Sequence, residues 1–220
     1  MKNLLIDSRI RKEENEYLSQ YFTVIKIPLS KDVYEEISGH SDIFYCKLQD
    51  KIICAPNAPI KEKNFIIGDS KVEGTYPKDI PYNACEIGSL IIGSKYTDKK
   101  INTNIIVKQG YTKCSICVTS PNSCITSDFS IAKKLKENGI NSTYIEENNI
   151  RLLKKDATYS KMKGFIGGAG FVFDNKFVLF GDIEKLESKE KIKEHIKKYN
   201  LQLIDFKGLE VHDYGGAIEY

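Results

Sequence analysis

Apolar and polar positions alternate along this chain in one recurring order: strand, tight turn, strand, helix, strand. The order is clearest between Ser115 and Leu153. There the elements are predicted as strand 115–119, turn 120–123, strand 124–126, helix 129–138, a stop at Gly139, and strand 140–145. A period of two residues is typical of strands, a period of 3.6 of helices, and Pro, Asn and Gly of turns. This segment therefore predicts a ββαβ unit.

Five such units can be drawn along the chain. They begin at 216–220 joined to 3–6, at Asp42, at Ala84, at Ser115 and at Gly170. Helices are predicted at 11–20, 129–138 and 187–199. The first unit needs both chain ends, because neither terminal strand has a local partner. Pairing the two ends leaves no open sheet edge, so the pattern predicts a pseudo-symmetric five-unit α/β propeller formed by one domain, residues 1–220.

The overall composition is that of a soluble globular protein. Hydrophobic residues make up 41% of the chain and charged residues 29%, with a net charge of +3. Lys and Glu alternate in 184–198, which indicates a solvated helix face and no nucleic-acid surface. No apolar run approaches the about 20 residues of a membrane span, and the N-terminus turns polar too soon for a signal peptide. We therefore expect a cytoplasmic protein without nucleic-acid or membrane partners, with its six cysteines mainly as buried thiols.

Three aspartates occupy one equivalent place in the predicted units, after the second strand and before the helix. They are Asp7, Asp128 and Asp182. An aspartate at this place caps a helix, because its carboxylate accepts a free backbone N–H. The alternative, a carboxylate that binds substrate, is considered for Asp7.

In a ring of this kind the first strand of each unit lines the centre. Alignment on the turns places Asp42, Cys114 and Gly167 at the same depth. The residues just before these strands form a rim that includes His40, Asn83, Lys108, Tyr111, Phe165 and Asp213. Several polar and titratable groups therefore converge on one hole, which predicts a site for a small molecule.

Two segments carry a resemblance to a known family. The stretch Gly39-His40-Ser41-Asp42 resembles the Gly-His-x-Asp segment of the guanidine-modifying enzymes of the pentein superfamily, and Gly215–Tyr220 resembles their Gly-rich C-terminal strand. The segments 108–115 and 126–128 are similar to a small uncharacterised bacterial branch of that superfamily. The resemblance implies the same five-unit fold.

The resemblance also implies an activity: a deiminase-like hydrolase or an amidinotransferase acting on a guanidine- or amidine-bearing small molecule. In those enzymes the histidine is the acid/base and the aspartate binds the guanidinium, which here implies His40 and Asp42. The family's C-terminal cysteine is absent, since the chain ends in Glu219 and Tyr220. Cys114 is therefore the candidate nucleophile, with a pKa lowered by Lys108, Lys113 and His40 if they lie nearby.

The remaining candidate residues are expected to bind substrate. They are Asn83, Lys108, Tyr111, Asp213 and Glu219. No metal and no cofactor is expected. The substrate, the pathway and the oligomeric state are not predicted.

Structural alternatives remain open for each motif. The segment 40–42 fits a turn that starts a strand, and Cys114 fits a buried thiol, in which case the ring is a non-catalytic module that binds a metabolite or a protein. Cys114 and Cys117 have the spacing of a metal or redox pair, but on a strand they point to opposite faces, and no second pair supplies further ligands. The Gly-rich stretch 164–170 lacks the spacing of a phosphate-binding loop and fits close strand packing.

Overall fold

Short strands dominate the structure, as the alternating pattern predicts. The computed structural model describes residues 1–49 and 51–220, which form a mixed α/β fold with six three-stranded sheets and few helices. The strands are β1 (Lys2–Asp7), β2 (Phe22–Ile27), β3 (Tyr45–Leu48), β4 (Lys51–Cys54), β5 (Ile66–Ile67), β6 (Cys85–Ile87), β7 (Leu90–Ser94), β8 (Ile105–Val107), β9 (Ile116–Ser120), β10 (Ser123–Thr126), β11 (Asn141–Tyr144), β12 (Ile150–Leu153), β13 (Tyr159–Lys163), β14 (Gly170–Phe173), β15 (Lys176–Leu179), β16 (Gln202–Ile204), β17 (Val211–His212) and β18 (Ile218–Glu219). The helices are α1 (Lys12–Leu18), α2 (Ser41–Phe44), α3 (Phe129–Glu137), α4 (Ile166–Ala169) and α5 (Lys189–Lys198), with 3₁₀ turns at Glu35–Ile37 and Ile183–Lys185. Among the described helices, none is long and apolar enough to cross a membrane.

Five of the sheets in the described part of the chain share one order. In each, an antiparallel pair is followed by a third strand parallel to the middle one: β18-β1-β2, β3-β4-β5, β6-β7-β8, β9-β10-β11 and β14-β15-β16. They correspond to the five predicted units, although β5, the third strand of the second triplet, was not predicted. In the first, fourth and fifth triplets, α1, α3 and α5 connect the middle strand to the third, as a parallel connection requires. In the second and third triplets an irregular segment makes this connection.

The two ends of the chain pair with each other, as predicted. Leu5 on β1 lies opposite Ile218 on β18, and the backbone N–H of Asn3 donates to the carbonyl of Tyr220 at 2.8 Å. Ile218 is buried in a cluster that also contains Leu5 and Phe44. The C-terminal strand therefore fills both a sheet edge and a part of the core.

A sixth sheet, β13-β12-β17, was not predicted. Arg151 on β12 pairs with Lys163 on β13, and Ile150 pairs in parallel with Val211 on β17. Strand β13 is mostly polar and exposed, and the third strand of the sheet comes from almost 50 residues further along, about the length of a whole unit in this chain. Local periodicity contains no signal for such a pairing.

Two of the three aspartates cap helical turns as predicted, and one does not. Asp128 accepts the N–H of Ile131 at the start of α3, and Asp182 accepts the N–H of Glu184. The cap prediction is wrong for Asp7, because Arg11 is the N-cap residue of α1. The carboxylate of Asp7 instead accepts the backbone N–H and the guanidinium of Arg9, and that ion pair is almost completely buried.

The contribution of the terminal pairing can be measured with a matched pair of substitutions. Ile218→Ala removes buried apolar volume at the junction of the chain ends and should lower the free energy of unfolding by about 2–5 kcal/mol. Ile106→Ala makes the same change on β8, where the side chain is 52% exposed, and should change it by less than ~0.5 kcal/mol. Urea denaturation measures both. Equal effects would show that the terminal strand contributes nothing special to the core.

Candidate functional site

The strand starts of three sheets bring the predicted catalytic residues to one place. His40 and Asp42 lie at the one-turn helix α2, directly before β3. Asn83 lies just before β6 and Cys114 just before β9. Each residue thus occupies the start of the first strand of its triplet, the position from which the sequence predicts convergence. His40, Asp42, Asn83 and Cys114 are all buried.

The thiol of Cys114 is held by two neighbours. Its Sγ donates a hydrogen bond to Asp42 Oδ2 at 2.9 Å and accepts one from Asn83 Nδ2 at 3.1 Å. Oδ1 of Asn83 also accepts a hydrogen bond from the backbone N–H of Cys114 at 3.1 Å, and Nδ2 of Asn83 donates to the backbone carbonyl of Asp42. Asn83 therefore positions the thiol against the carboxylate. The sequence predicted a different role for Asn83, that of a substrate-binding residue.

His40 lies close to a second carboxylate, that of Asp213. Their Nδ1 and Oδ1 atoms are 3.8 Å apart, too far for a hydrogen bond. Asp213 accepts the backbone N–H groups of Phe165 and Gly215, each at 2.8 Å. Within the described residues, neither ring nitrogen of His40 has a hydrogen-bond partner, and neither does Oδ1 of Asp42. Buried polar atoms are seldom left unpaired, so these three atoms are available to bond with a ligand or with water.

Asp42 lines one cavity, of about 430 Å³, together with Lys113. A different cavity, of about 320 Å³, contains the other groups. His40, Cys114 and Asp213 form its floor. Its walls are Tyr34, Ile37, Tyr111, Leu152, Met162, Lys163 and Phe165. The volume lies at the lower end of the range for small-molecule pockets.

Glycines make room for the floor of the cavity. A Cβ at Gly168 would lie 1.8 Å from a carboxylate oxygen of Asp213, and one at Gly167 would lie within 2.6 Å of three backbone carbonyls, including that of Cys114. The Gly-rich stretch therefore serves close packing, as the sequence indicates. Gly215 has φ +72°, and a side chain there would also collide with His40.

Burial sets the protonation of the site. It raises the pKa of Asp42 to about 7, against the opposing charge of Lys113, and raises the pKa of Asp213 to about 6. Burial also lowers the pKa of His40 well below its ordinary value, with help from the positive charge of Arg9. His40 is therefore neutral at neutral pH.

The expectation of a lowered pKa for Cys114 is wrong. Burial, and then the charges of Asp42 and Asp213, raise the pKa of the thiol well above its ordinary value. Lys113 is near: burial lowers its pKa, but the charge of Asp42 and the neighbouring cysteines together raise it above its ordinary value, and its ammonium donates to the carbonyl of Gly167 at 2.9 Å. Without a ligand, Cys114 is a neutral thiol.

Two of the predicted substrate-binding residues lie elsewhere. Lys108 is exposed and is not part of the cavity lining. Glu219 forms an ion pair with Lys2 and lines a different cavity together with Lys113 and Cys117. The alignment of strand starts correctly predicted the residues on the floor of the cavity, but it included Lys108 and Glu219, which do not line this cavity.

Five wall residues were missed, namely Tyr34, Ile37, Leu152, Met162 and Lys163. Tyr34 comes from the loop after β2, and Leu152 and Met162 come from the unpredicted hairpin β12–β13. Nothing local marks them, since they lie outside the repeat. Asp79, likewise missed, accepts a hydrogen bond from Tyr111 at 2.5 Å.

Comparison with known proteins assigns a family and no activity. Residues 5–218 match the model of a family described as "Family of unknown function (DUF6873)". Because the match covers nearly the whole chain, the chain belongs to this family. No curated protein and no solved structure matches the chain.

The raised pKa of Asp42 predicts a pH-dependent stability. The native state holds a proton on this group up to about pH 7, whereas the unfolded chain loses it near pH 4, so stability falls as pH rises through this range. Asp42→Asn should reduce that fall, by a few kcal/mol at most. Urea denaturation at about pH 4.5 and about pH 8 measures it. Asp174→Asn, at an exposed turn, is the control and should keep the wild-type pH dependence; an unchanged slope in Asp42→Asn would contradict the assignment.

Proposed function

We propose that this member of the family is an enzyme that modifies a guanidine- or amidine-bearing small molecule, with Cys114 as nucleophile, His40 as acid/base and Asp42 as the carboxylate that holds the cation. The observation that carries the proposal is the hydrogen bond from the Cys114 thiol to a buried carboxylate, at the floor of a cavity that also contains an unpaired histidine. The nucleophile thus contacts the carboxylate, and the acid/base lines the same cavity as the nucleophile.

The proposal includes the arrangement of the sheets as a closed, pentein-like five-unit propeller. Apolar clusters connect consecutive triplets: the first with the second, the third with the fourth, the fourth with the fifth, and the fifth with the first. Strands β3 and β6 connect the second with the third. This succession returns to its start, which is what a ring requires. The starts of the first strands then meet near the axis, where the candidate site lies.

The charges of the floor favour a cationic ligand. Asp213 lies on the floor and Asp42 contacts the floor residue Cys114, so two buried carboxylates outnumber the one buried ammonium of Lys113, and His40 is neutral. A guanidinium carries several N–H donors in one plane, which match the unpaired Oδ1 of Asp42 and a bidentate contact with a carboxylate. An amidinium offers the same geometry with fewer donors.

The same cation supplies what the resting thiol lacks. A positive charge beside Cys114 favours the thiolate and lowers its pKa, in opposition to burial and to the two carboxylates. The nucleophile would thus form only when the substrate is bound. This coupling explains how a thiol with a raised pKa can still be catalytic.

The proposed reaction proceeds through a covalent intermediate on the sulfur of Cys114. His40 takes the proton of the Cys114 thiol, and the sulfur forms a bond with the central carbon of the guanidinium or amidinium. His40 then returns the proton to the leaving amine as the carbon–nitrogen bond breaks, which leaves a covalent intermediate on sulfur. Water, in a hydrolase, or a second amine, in a transferase, attacks this carbon and gives a proton to His40. His40 then returns this proton to sulfur as the carbon–sulfur bond breaks, which restores the thiol and the neutral histidine.

A second candidate function is a non-catalytic binding module. It is favoured by the burial of Cys114, whose side chain is only 3% exposed, and by the raised pKa of its thiol. All six cysteines are buried free thiols, which fits a reducing, cytoplasmic setting for either function.

A pair of reagents separates the two functions. Chloroacetamidine and chloroacetamide share size and leaving group, but only the amidine carries a positive charge at neutral pH. In the native protein we expect the amidine to alkylate Cys114 at least about tenfold faster than the amide, after correction for their rates with a free thiol, because the cation lowers the barrier to thiolate formation. Mass spectrometry of intact protein and of peptides measures the rate and the site.

Two variants of the chain serve as controls. Cys114→Ala should remove the rapid labelling and leave the other five cysteines unmodified. Asp42→Asn should abolish the preference for the amidine. If Cys114 reacts with both reagents only on unfolding, the catalytic proposal fails and the binding module stands.

A further inference from the structure

We propose that the substrate of this site carries an uncharged, apolar or aromatic tail on its cationic head, and that the β12–β13 hairpin selects this tail. The inference rests on the proposed function, since it extends the same site. It excludes an amino acid with free α-amino and α-carboxylate groups as the preferred substrate.

The walls of the cavity carry almost no charge above the floor. The wall residues in the described part of the chain are three aromatic and three aliphatic side chains and one lysine: Tyr34, Tyr111, Phe165, Ile37, Leu152, Met162 and Lys163. The ammonium of Lys163 donates to the side chain of Asn148, which lies in a neighbouring groove. An ammonium on the tail would lose water without gaining a carboxylate among the wall residues, and a carboxylate would find only the ammonium of Lys163, which already donates to Asn148, so either charge costs binding free energy.

The tyrosine hydroxyls of the wall are already committed. Tyr34 and Tyr111 share a hydrogen bond of 2.5 Å, and Tyr111 donates to Asp79. Tyr111 also stacks with Phe165 at a ring-centroid distance of 6.5 Å. The wall therefore offers ring faces and methyl groups to a ligand, which suit an alkyl chain or a flat ring.

The hairpin β12–β13 contributes the aliphatic part of this wall. Leu152 lies on β12 and Met162 on β13, in the sheet that does not belong to the five repeated triplets. Met162 is 46% exposed even though it lines the cavity, so its side chain sits at the mouth, where the tail of a bound ligand would pass. The repeated units thus supply the head-group site, and the additional hairpin supplies the tail site.

Four ligands with the same head group test the inference. Butylguanidine, agmatine, guanidinobutyrate and arginine differ only in the charge of a short tail: none, positive, negative and both. Calorimetric binding to Cys114→Ala, which cannot turn the ligand over, should give the tightest dissociation constant for butylguanidine, by at least about tenfold over the other three.

The outcomes are distinguishable. If a charged-tail ligand binds as tightly as butylguanidine, the tail inference is overturned while the guanidinium site stands. If none of the four binds and chloroacetamidine also fails to label Cys114 in the wild-type protein, the proposed function is overturned as well.

A substitution at the mouth sharpens the test. Met162→Glu introduces a carboxylate at a half-exposed position, which the fold should tolerate, and should shift the preference from butylguanidine toward agmatine by about tenfold. Lys161→Gln makes the same change in net charge on the same strand, at an exposed position outside the cavity lining, and should leave the order of the four ligands unchanged. An unchanged order in Met162→Glu would exclude the hairpin as the selecting element.

Discussion

The burial of the Asp42 carboxylate against the Cys114 thiol is the constraint on which the rest of this site depends. A carboxylate without water is costly unless it is paired, so the protein either protonates it or surrounds it with donors. Here Cys114 donates to one oxygen and Asn83 fixes the thiol in place, while the second oxygen of Asp42 has no partner among the described residues. The pKa of Asp42, raised to about 7, is the measure of this incomplete compensation. The site is therefore arranged to receive a donor that the protein itself does not supply.

The repeated triplets explain how such a cluster can form. Each first strand begins near the same place, so one residue from each of several triplets arrives there with a fixed backbone position. Asp42, Asn83 and Cys114 use three of these positions for side-chain chemistry, whereas Gly167 uses the fourth to let backbone carbonyls approach. The same repeat thus provides both the polar groups and the space between them. Close packing around them keeps water out and fixes their orientation.

The sequence predicted the hairpins and the pairing of the chain ends because both follow from local periodicity and from unpaired edges. It also predicted that His40, Asp42, Cys114 and Asp213 converge, since strand starts can be aligned on their turns. It did not predict the sheet β13-β12-β17, because that sheet joins segments far apart in the chain and β13 is mostly polar. A pairing of this kind depends on tertiary contacts alone.

The direction of the pKa shift of Cys114 could not be predicted from the sequence either. Counting nearby lysines and a histidine predicts a lowered thiol pKa, but the outcome depends on burial and on the exact partners of each charge. Lys108 is exposed and Lys113 donates to a carbonyl, while two carboxylates face the thiol. Desolvation, which cannot be read from a sequence, then decides whether the pKa of the thiol is raised or lowered.

The raised pKa of Cys114 has a functional consequence, because this thiol lies at the floor of a small cavity. A thiolate that existed without ligand would react with any oxidant or electrophile able to enter. With its pKa raised by burial and by Asp42 and Asp213, Cys114 is a weakly reactive neutral thiol, and in the proposed mechanism a bound cation offsets the two carboxylates. Selectivity for the cationic head would then lie in the activation of the nucleophile as well as in binding. A neutral molecule of equal shape could occupy the cavity, yet it would leave the proton on sulfur.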